Sequence, residues 1–197
     1  MNPLQNKLKN IHIKLASKSP RRHELLGYII KDFKIVTKEI KENYPPNLSI
    51  NKIAPFLAEL KATAYMEDCL KNEMYITADT IVCFDNQVLG KPKSHKEAVD
   101  MLDRLSGNTH TVYTGVGILY QNKIHRFCDA TKVTFYPLKK DEIEHYINTN
   151  KPFDKAGSYG IQEWMGYVGI KKMEGDFFNV MGLPLHRLYR EIEKLLD

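Results

Sequence analysis

The sequence predicts an α/β fold built on a mixed β-sheet with flanking helices, and three observations predict it. Segments with helical apolar spacing alternate with β-branched, strand-like runs; several of those runs face each other across tight polar turns; and no repeat, low-complexity tract or clear linker interrupts the 197 residues. Alternation favours parallel pairing whereas hairpins require antiparallel neighbours, so the sheet is expected to be mixed. The length suits one well-packed core, and a single domain over residues 1–197 is expected.

Ile11 to Ala16 alternates apolar and polar residues as a strand does and runs into Ser17-Lys18-Ser19-Pro20-Arg21-Arg22, followed by the helical pair Leu25 and Leu26. Ser19 is placed to cap that helix, Pro20 suits its first turn, and Gly27 is placed to end it. Phe33 to Thr37 reads as a short strand, and Lys38 to Asn47, with mixed charge and Pro45-Pro46, as a loop. Within Asn51 to Leu70, residues Ile53, Phe56, Leu57, Leu60, Ala64 and Tyr65 form a helical stripe with Lys61 beside it. Tyr75 to Phe84 predicts a central strand, turned at Asp85-Asn86 into a short partner ending near Leu89. Lys96 to Leu105 predicts a helix closed by Ser106-Gly107-Asn108. Thr109 to Leu119 and Lys123 to Phe135 predict long hairpin strands around Gln121-Asn122, and Asp141 to Ile147 a short helix. Tyr167 to Met173 and Phe177 to Val180 predict a second hairpin around Glu174-Gly175-Asp176, and Leu185 to Leu196 a closing helix that Pro184 can start.

Composition narrows the functional classes. The net charge of +5, from 29 basic and 24 acidic residues, suits an anionic ligand but also describes many lysine-rich proteins. The basic residues are scattered, without an arginine-rich tract or an aromatic and basic interleaved strip, so a nucleic-acid surface is not expected. No run approaches the roughly 18 apolar residues needed to cross a bilayer, and Met1 to Asn10 lacks the apolar core of a signal peptide, so no membrane association and a cytoplasmic location are expected. Cys69, Cys83 and Cys128 are far apart and lack zinc-site spacing, which predicts reduced, buried thiols. The 7 histidines show no paired spacing, and the glycine signatures of mononucleotide and dinucleotide loops are absent.

Six places hold residues suited to chemistry. In Ser17-Lys18-Ser19-Pro20-Arg21-Arg22, hydroxyls, amide groups at a helix start and two guanidinium groups collect the donors that grip phosphate; the same residues also describe a capped helix with solvated arginines. Asp79, in Thr77-Ala78-Asp79-Thr80, stands among Ile76, Ile81, Val82 and Cys83, and a carboxylate buried there needs a metal ion or lysine as partner, unless it accepts hydrogen bonds in a strand-end turn. Lys91 in Gly90-Lys91-Pro92, and Lys155 in Asp154-Lys155-Ala156-Gly157-Ser158-Tyr159-Gly160-Ile161-Gln162, are lysines in glycine-containing loops. Each can face a phosphate oxygen or simply water. Gln162 can read a base edge or bond to backbone, and Lys61 can add positive charge or extend to water. Glu42 is a loop acid able to join Asp79 on a hard cation, because magnesium needs only one or two carboxylates besides the phosphates of its ligand.

Taken together, these segments resemble the Maf-like nucleotide pyrophosphatases, also called septum formation proteins. The resemblance runs through Leu15-Ala16-Ser17-Lys18-Ser19-Pro20-Arg21-Arg22, Ala78-Asp79-Thr80-Ile81-Val82, Leu89-Gly90-Lys91-Pro92 and Leu105-Ser106-Gly107-Asn108-Thr109-His110. It continues through the loop from Asp154 to Gln162 and through Asn179-Val180-Met181-Gly182-Leu183-Pro184-Leu185, in the family's order over almost the whole chain. It implies an elongated fold with two lobes around a cleft, a homodimer, and metal-dependent (Mg2+, Mn2+ or Co2+) cleavage of nucleoside triphosphates between the α- and β-phosphates. In similar proteins the aspartate matching Asp79 is the proton acceptor near the metal, the positions matching Arg21, Thr80 and Gln162 are tied to substrate choice, and the loop acid falls at Glu42. Ser17, Arg22, Lys61, Lys91 and Lys155 complete the expected substrate-binding set.

The form Lys155-Ala156-Gly157-Ser158-Tyr159-Gly160-Ile161-Gln162 looks like the branch acting on dTTP and UTP, where the branch acting on methylated GTP carries a glutamate-containing variant. Glu163-Trp164-Met165 departs from the small residues that often follow the glutamine, and Trp164 is expected either to reshape the base pocket or to pack at a dimer surface. The implied mechanism has Arg21, Lys91 and Lys155 neutralising the triphosphate while Asp79 prepares a water for in-line attack at the α-phosphorus. Two rivals differ in product: a nucleotide-binding regulator of cell division would release none, and a terminal phosphohydrolase would release orthophosphate.

Overall fold

The computed structural model describes residues 3–197. In chain order the elements are α1 (Pro3–Lys7), β1 (His12–Ala16), α2 (Pro20–Ile29), β2 (Phe33–Val36), α3 (Ile50–Thr63), β3 (Glu73–Phe84), β4 (Gln87–Leu89) and α4 (His95–Leu105). They continue with β5 (Thr109–Tyr120), β6 (Lys123–Phe135), α5 (Lys140–Asn150), a 3-10 turn over Ala156–Ser158, α6 (Trp164–Gly169), β7 (Ile170–Glu174), α7 (Phe177–Met181) and α8 (Leu185–Leu196).

The strands form one hydrogen-bonded sheet in the order β2-β1-β3-β5-β6-β7, with β4 also on β3. It is mixed: β1 runs parallel to β2 and to β3, pairing Leu15 with Ile35 and with Ile76, whereas β4 and β7 run antiparallel to β3 and β6. The turns carry the residues they need. Asp85 and Asn86 have φ of 49° and 55°, and Gln121 and Asn122 have 50° and 58°, the left-handed pair that lets two strands reverse in two residues. The expected mixed sheet with flanking helices therefore forms.

Two compact units divide the chain. The first comprises the chain up to Asp79, Thr114–Asp129 and Gly182–Asp197; the second comprises Thr80–Tyr113 and Ala130–Met181. In the first, α3 buries Ile53, Ala54, Leu57, Ala58 and Ala62, at i, i+1, i+4, i+5 and i+9 along one helix face, and α8 buries Leu185, Leu188 and Ile192. In the second, Ala98, Leu102 and Leu105 of α4 pack with Ile143, Tyr146 and Ile147 of α5 and with Phe135, Tyr159 and Met165. Among the described residues no helix is long and apolar enough to cross a membrane.

Local expectations fail where short-range pattern meets tertiary contact. Gly27 does not end α2, which continues to Ile29, and Ser19 occupies the N-cap without a side-chain bond; its carbonyl accepts from the amides of Arg22 (3.1 Å) and His23 (3.2 Å), while its own N–H donates to Oγ of Ser17 at 3.1 Å. The helix expected to reach Leu70 ends at Thr63 and leaves through Tyr65 N–H to Ala62 O and Met66 N–H to Thr63 O, three-residue bonds that tighten the exit. The second hairpin exists only as β7: Trp164–Gly169 is a helix, and Phe177–Met181 is another, capped by Asp176, whose carboxylate accepts from the amides of Phe178 (3.1 Å) and Asn179 (3.0 Å).

Candidate active site

Two rungs join α3 to β3 in the first unit. Thr77 and Asp79 lie two residues apart on β3 and so face the same side, while Ala58 and Lys61 lie three apart on α3 and share a helix face. Oγ1 of Thr77 donates to the carbonyl of Ala58 at 2.7 Å, and Nζ of Lys61 donates to Oδ1 of Asp79 at 2.7 Å. The first rung fixes the height of the helix on the strand; the second is the charged pair that this height permits.

Glycines on β5 let the helix approach. A Cβ on Gly115 would lie 2.3 Å from the carbonyl of Ala54 and the nitrogen of Pro55, and one on Gly117 would lie 2.7 Å from Thr77 Oγ1 and 3.0 Å from the Ala58 carbonyl. The backbone of α3 therefore rests directly on the strand, at the point where Pro55 interrupts the helix ladder.

Asp79 is 8% exposed. Burial pushes its carboxyl above the usual aspartate range, against the pull of Lys61 and, more weakly, of Arg22, while Glu42 adds to the rise. Lys61 also pairs with Oε1 of Glu42 at 2.9 Å, so one ammonium holds one oxygen of each acid; Glu42 itself is exposed. The half-buried Arg22 is anchored by backbone: Nε donates to Gly182 O and Nη1 to Ala78 O, both at 2.8 Å. This places a fixed positive charge one residue from Asp79 on β3. Ser17 is buried at the end of β1, and its carbonyl accepts from His23 at 2.7 Å, which shapes the turn into α2 where Arg21 stands half-buried in the first turn.

The chemistry of this donor set fits a hard divalent cation. Two carboxylates come within reach of one ammonium, each keeps a second oxygen, and the carboxyl of Asp79 is still raised, so a further positive charge beside it would be favourable.

In the second unit the Gly90 loop meets the Lys155 to Gln162 loop. The N–H of Gly157 donates to Gly90 O at 3.1 Å, with Gly157 at φ 71° and pressed so closely on Val82 that a Cβ would lie 3.0 Å from its methyl. Lys91 is exposed. Of the two readings of Lys155, the solvated one does not hold: it is 8% exposed and paired with Asp154 at 2.7 Å and Glu163 at 3.0 Å. Thr80 and Gln162 are half-buried. Trp164 packs edge-on against His145 of α5, with ring centres 4.9 Å apart, and against the core of this unit.

Thus Ser17, Arg22, Glu42, Lys61 and Asp79 belong to the first unit, with Lys61 linking Glu42 and Asp79, while Thr80, Lys91, Lys155 and Gln162 belong to the second. The sequence gives no functional signal for Gly115, Gly117 or Tyr146; Thr77 carries one, a hydroxyl at the same strand parity as Asp79 inside an apolar run, and Glu163 stands out beside Gln162 without its partners being legible.

This fold is found in a solved structure, the Ham1 protein of Staphylococcus aureus, which matches 93% of this chain and 99% of that one with a TM-score of 0.55 at 13% identity. The sequence places the protein more narrowly. A family model described as "Maf-like protein" matches residues 12–195, and the chain belongs to that family. Among its relatives, a dTTP/UTP pyrophosphatase of Cytophaga hutchinsonii is 50% identical over 98% of this chain and 88% of that protein. Another of the same description from Flavobacterium psychrophilum is 46% identical over 94% and 95%.

Proposed function

We propose that this protein is a nucleoside triphosphate pyrophosphatase that converts dTTP and UTP to the monophosphate and pyrophosphate with a divalent cation. The observation that carries the reading is the buried Asp79 held 2.7 Å from Lys61, a carboxylate whose affinity for protons is raised by burial and steadied by a fixed lysine. Relatives named for this activity, matching almost end to end, support the substrate class.

Asp79 takes the proton of the attacking water, because its raised carboxyl lies closer to neutrality than an ordinary aspartate and is the stronger base. Lys61 keeps that carboxylate oriented and lowers the cost of its charge. Arg22, braced by two carbonyls, and Arg21 on the same helix turn face the anionic chain of phosphates, whose charge must be compensated as the α-phosphorus is attacked. Glu42 and Asp79 would hold the cation, which when bound neutralises phosphate oxygens and acidifies water. Ser17, Thr80, Lys91, Lys155 and Gln162 complete the substrate-binding set, with Gln162 presenting donor and acceptor to a pyrimidine edge. The enzyme works as a homodimer in the cytoplasm.

The test is a panel of canonical and modified triphosphates with Mg2+, Mn2+, Co2+ or a chelator. Pyrophosphate from dTTP and UTP, abolished by the chelator, is the expected result. Orthophosphate would mean a terminal phosphohydrolase, tight binding without product a nucleotide-sensing regulator, and preference for a purine another branch of the family.

A further inference from the structure

We infer that Glu163 is a positioning residue that holds the Gln162 turn in place and thereby sets base selectivity, an inference that rests on the pyrimidine reading above. The residue follows Gln162 directly, and its carboxylate is held by partners on both of its oxygens. Oε1 pairs with the buried Lys155 at 3.0 Å; Oε2 accepts the hydroxyl proton of Tyr146; and the Tyr146 oxygen accepts the N–H of Gly160 at 2.9 Å. Lys155, Glu163, Tyr146 and Gly160 thus form one chain of bonds. Burial and Glu163 keep the phenol protonated, so its single O–H stays directed at the carboxylate and a lone pair stays free to accept the Gly160 amide.

The turn itself is closed by Glu163 N–H to Gly160 O at 3.1 Å, with Ile161 and Gln162 at its centre. Both flanks of Gln162 are therefore fixed: Tyr146 grips Gly160 N–H on one side, and the hydroxyl of Tyr167 donates to the Gln162 carbonyl on the other. Tyr167 is oriented by the same residue, since the Glu163 carbonyl accepts from the amides of Gly166 (2.8 Å) and Tyr167 (3.2 Å) as α6 begins. On α5, His145 and Tyr146 meet Trp164 and Glu163 respectively, so two consecutive residues of the helix clamp two consecutive residues of the chain.

Gly160 supplies an independent observation. A Cβ there would lie 2.7 Å from Cδ of Glu163 and 2.9 Å and 3.0 Å from its oxygens. The carboxylate fills the space that glycine leaves, and being held by Lys155 and Tyr146 it cannot step aside without breaking the chain. Gly160→Ala should therefore act through Glu163.

The experiment compares wild type, Glu163→Ala, Glu163→Gln, Gly160→Ala and the Gly160→Ala/Glu163→Ala double variant for kcat and KM on dTTP, UTP and dCTP, with thermal melts and hydrogen exchange at the Gly160 amide. In Glu163→Ala the preference in kcat/KM for dTTP over dCTP should fall about tenfold, with kcat on dTTP within about threefold of wild type and faster Gly160 exchange. Glu163→Gln should recover part of the preference by keeping an acceptor for Tyr146. Gly160→Ala should reproduce Glu163→Ala, and the double variant should be no worse than either. Unchanged preference in Glu163→Ala with a lowered melting temperature, or a fall in kcat with preference intact, overturns the role of Glu163 while leaving the pyrophosphatase reading standing. Wild-type protein that releases no pyrophosphate from any pyrimidine triphosphate overturns that reading and the selectivity role with it.

Discussion

Nζ of Lys61 lies 2.7 Å from Oδ1 of Asp79, one rung beyond the bond that ties Thr77 to Ala58. Lys61→Met keeps the stem and removes the ammonium, taking away the largest charge that offsets the burial of Asp79. The carboxyl then rises further, so the acidic limb of the kcat/KM profile should move to higher pH and activity should fall by about 100-fold or more. A pH–rate series on both proteins checks it; an unmoved acidic limb would separate Lys61 from the proton chemistry.

Asp79→Asn should lower turnover by about 10²–10⁴-fold while leaving the fold intact. Its stability has a defined sign. Because the folded carboxyl lies above its usual 3.8, the protonated form favours the native state below that value, and the benefit is lost as pH rises through the folded value. Asparagine mimics the protonated form at every pH. The variant should therefore match wild type in acid and melt above it at neutral pH, as differential scanning at the two conditions would show. Near-normal turnover would reject Asp79 as the base.

Much of this site could be read from the sequence because burial of charge is a strong constraint. A carboxylate among Ile76, Ile81 and Val82 had to find a partner, and the partner it found, Lys61, was visible beside the stripe of α3. Glu42 was legible as an acid in a loop, but its link to Asp79 through Lys61 depends on tertiary distance. The pairing of Lys155 was not legible: its loop left it facing either phosphate or water, whereas burial brings it onto Asp154 and Glu163. The short α6 and α7 were hidden because Trp164–Gly169 and Phe177–Met181 are rich in aromatic and β-branched residues. Local contacts decided them: Asp176 caps α7, and α6 turns against Ile161 at Gly166, where a Cβ would lie 1.8 Å from the Ile161 carbonyl oxygen.

Gly115→Ala tests the seat of α3. The new methyl would meet backbone atoms of Ala54 and Pro55 at 2.3 Å, which cannot rotate away, so the helix must shift. A loss of about 1–3 kcal/mol or more in denaturant unfolding is expected, along with reduced kcat in the folded protein as Lys61 leaves Asp79. Wild-type stability would mean that α3 is not held by this contact.

His110 should make the protein acid-sensitive. It is 2% exposed, its Nε2 lies 2.7 Å from the Tyr159 hydroxyl, and burial pushes its pKa from 6.5 down to about 4. A depressed histidine binds fewer protons in the native than in the unfolded state, so stability is whole above 6.5 and lost as pH falls towards about 4, by on the order of 3 kcal/mol. His110→Gln should flatten that part of the stability–pH curve, measured by urea unfolding across the range. An unchanged slope would assign the acid sensitivity elsewhere.

The position of oxygen-18 after turnover of dTTP in labelled water with magnesium bears most directly on the whole account. Attack at the α-phosphorus with Asp79 as base requires one labelled oxygen in dTMP and unlabelled pyrophosphate, both formed about 10²–10⁴-fold more slowly by Asp79→Asn. Label in the pyrophosphate, formation of dTDP and orthophosphate, or full turnover by Asp79→Asn would contradict it.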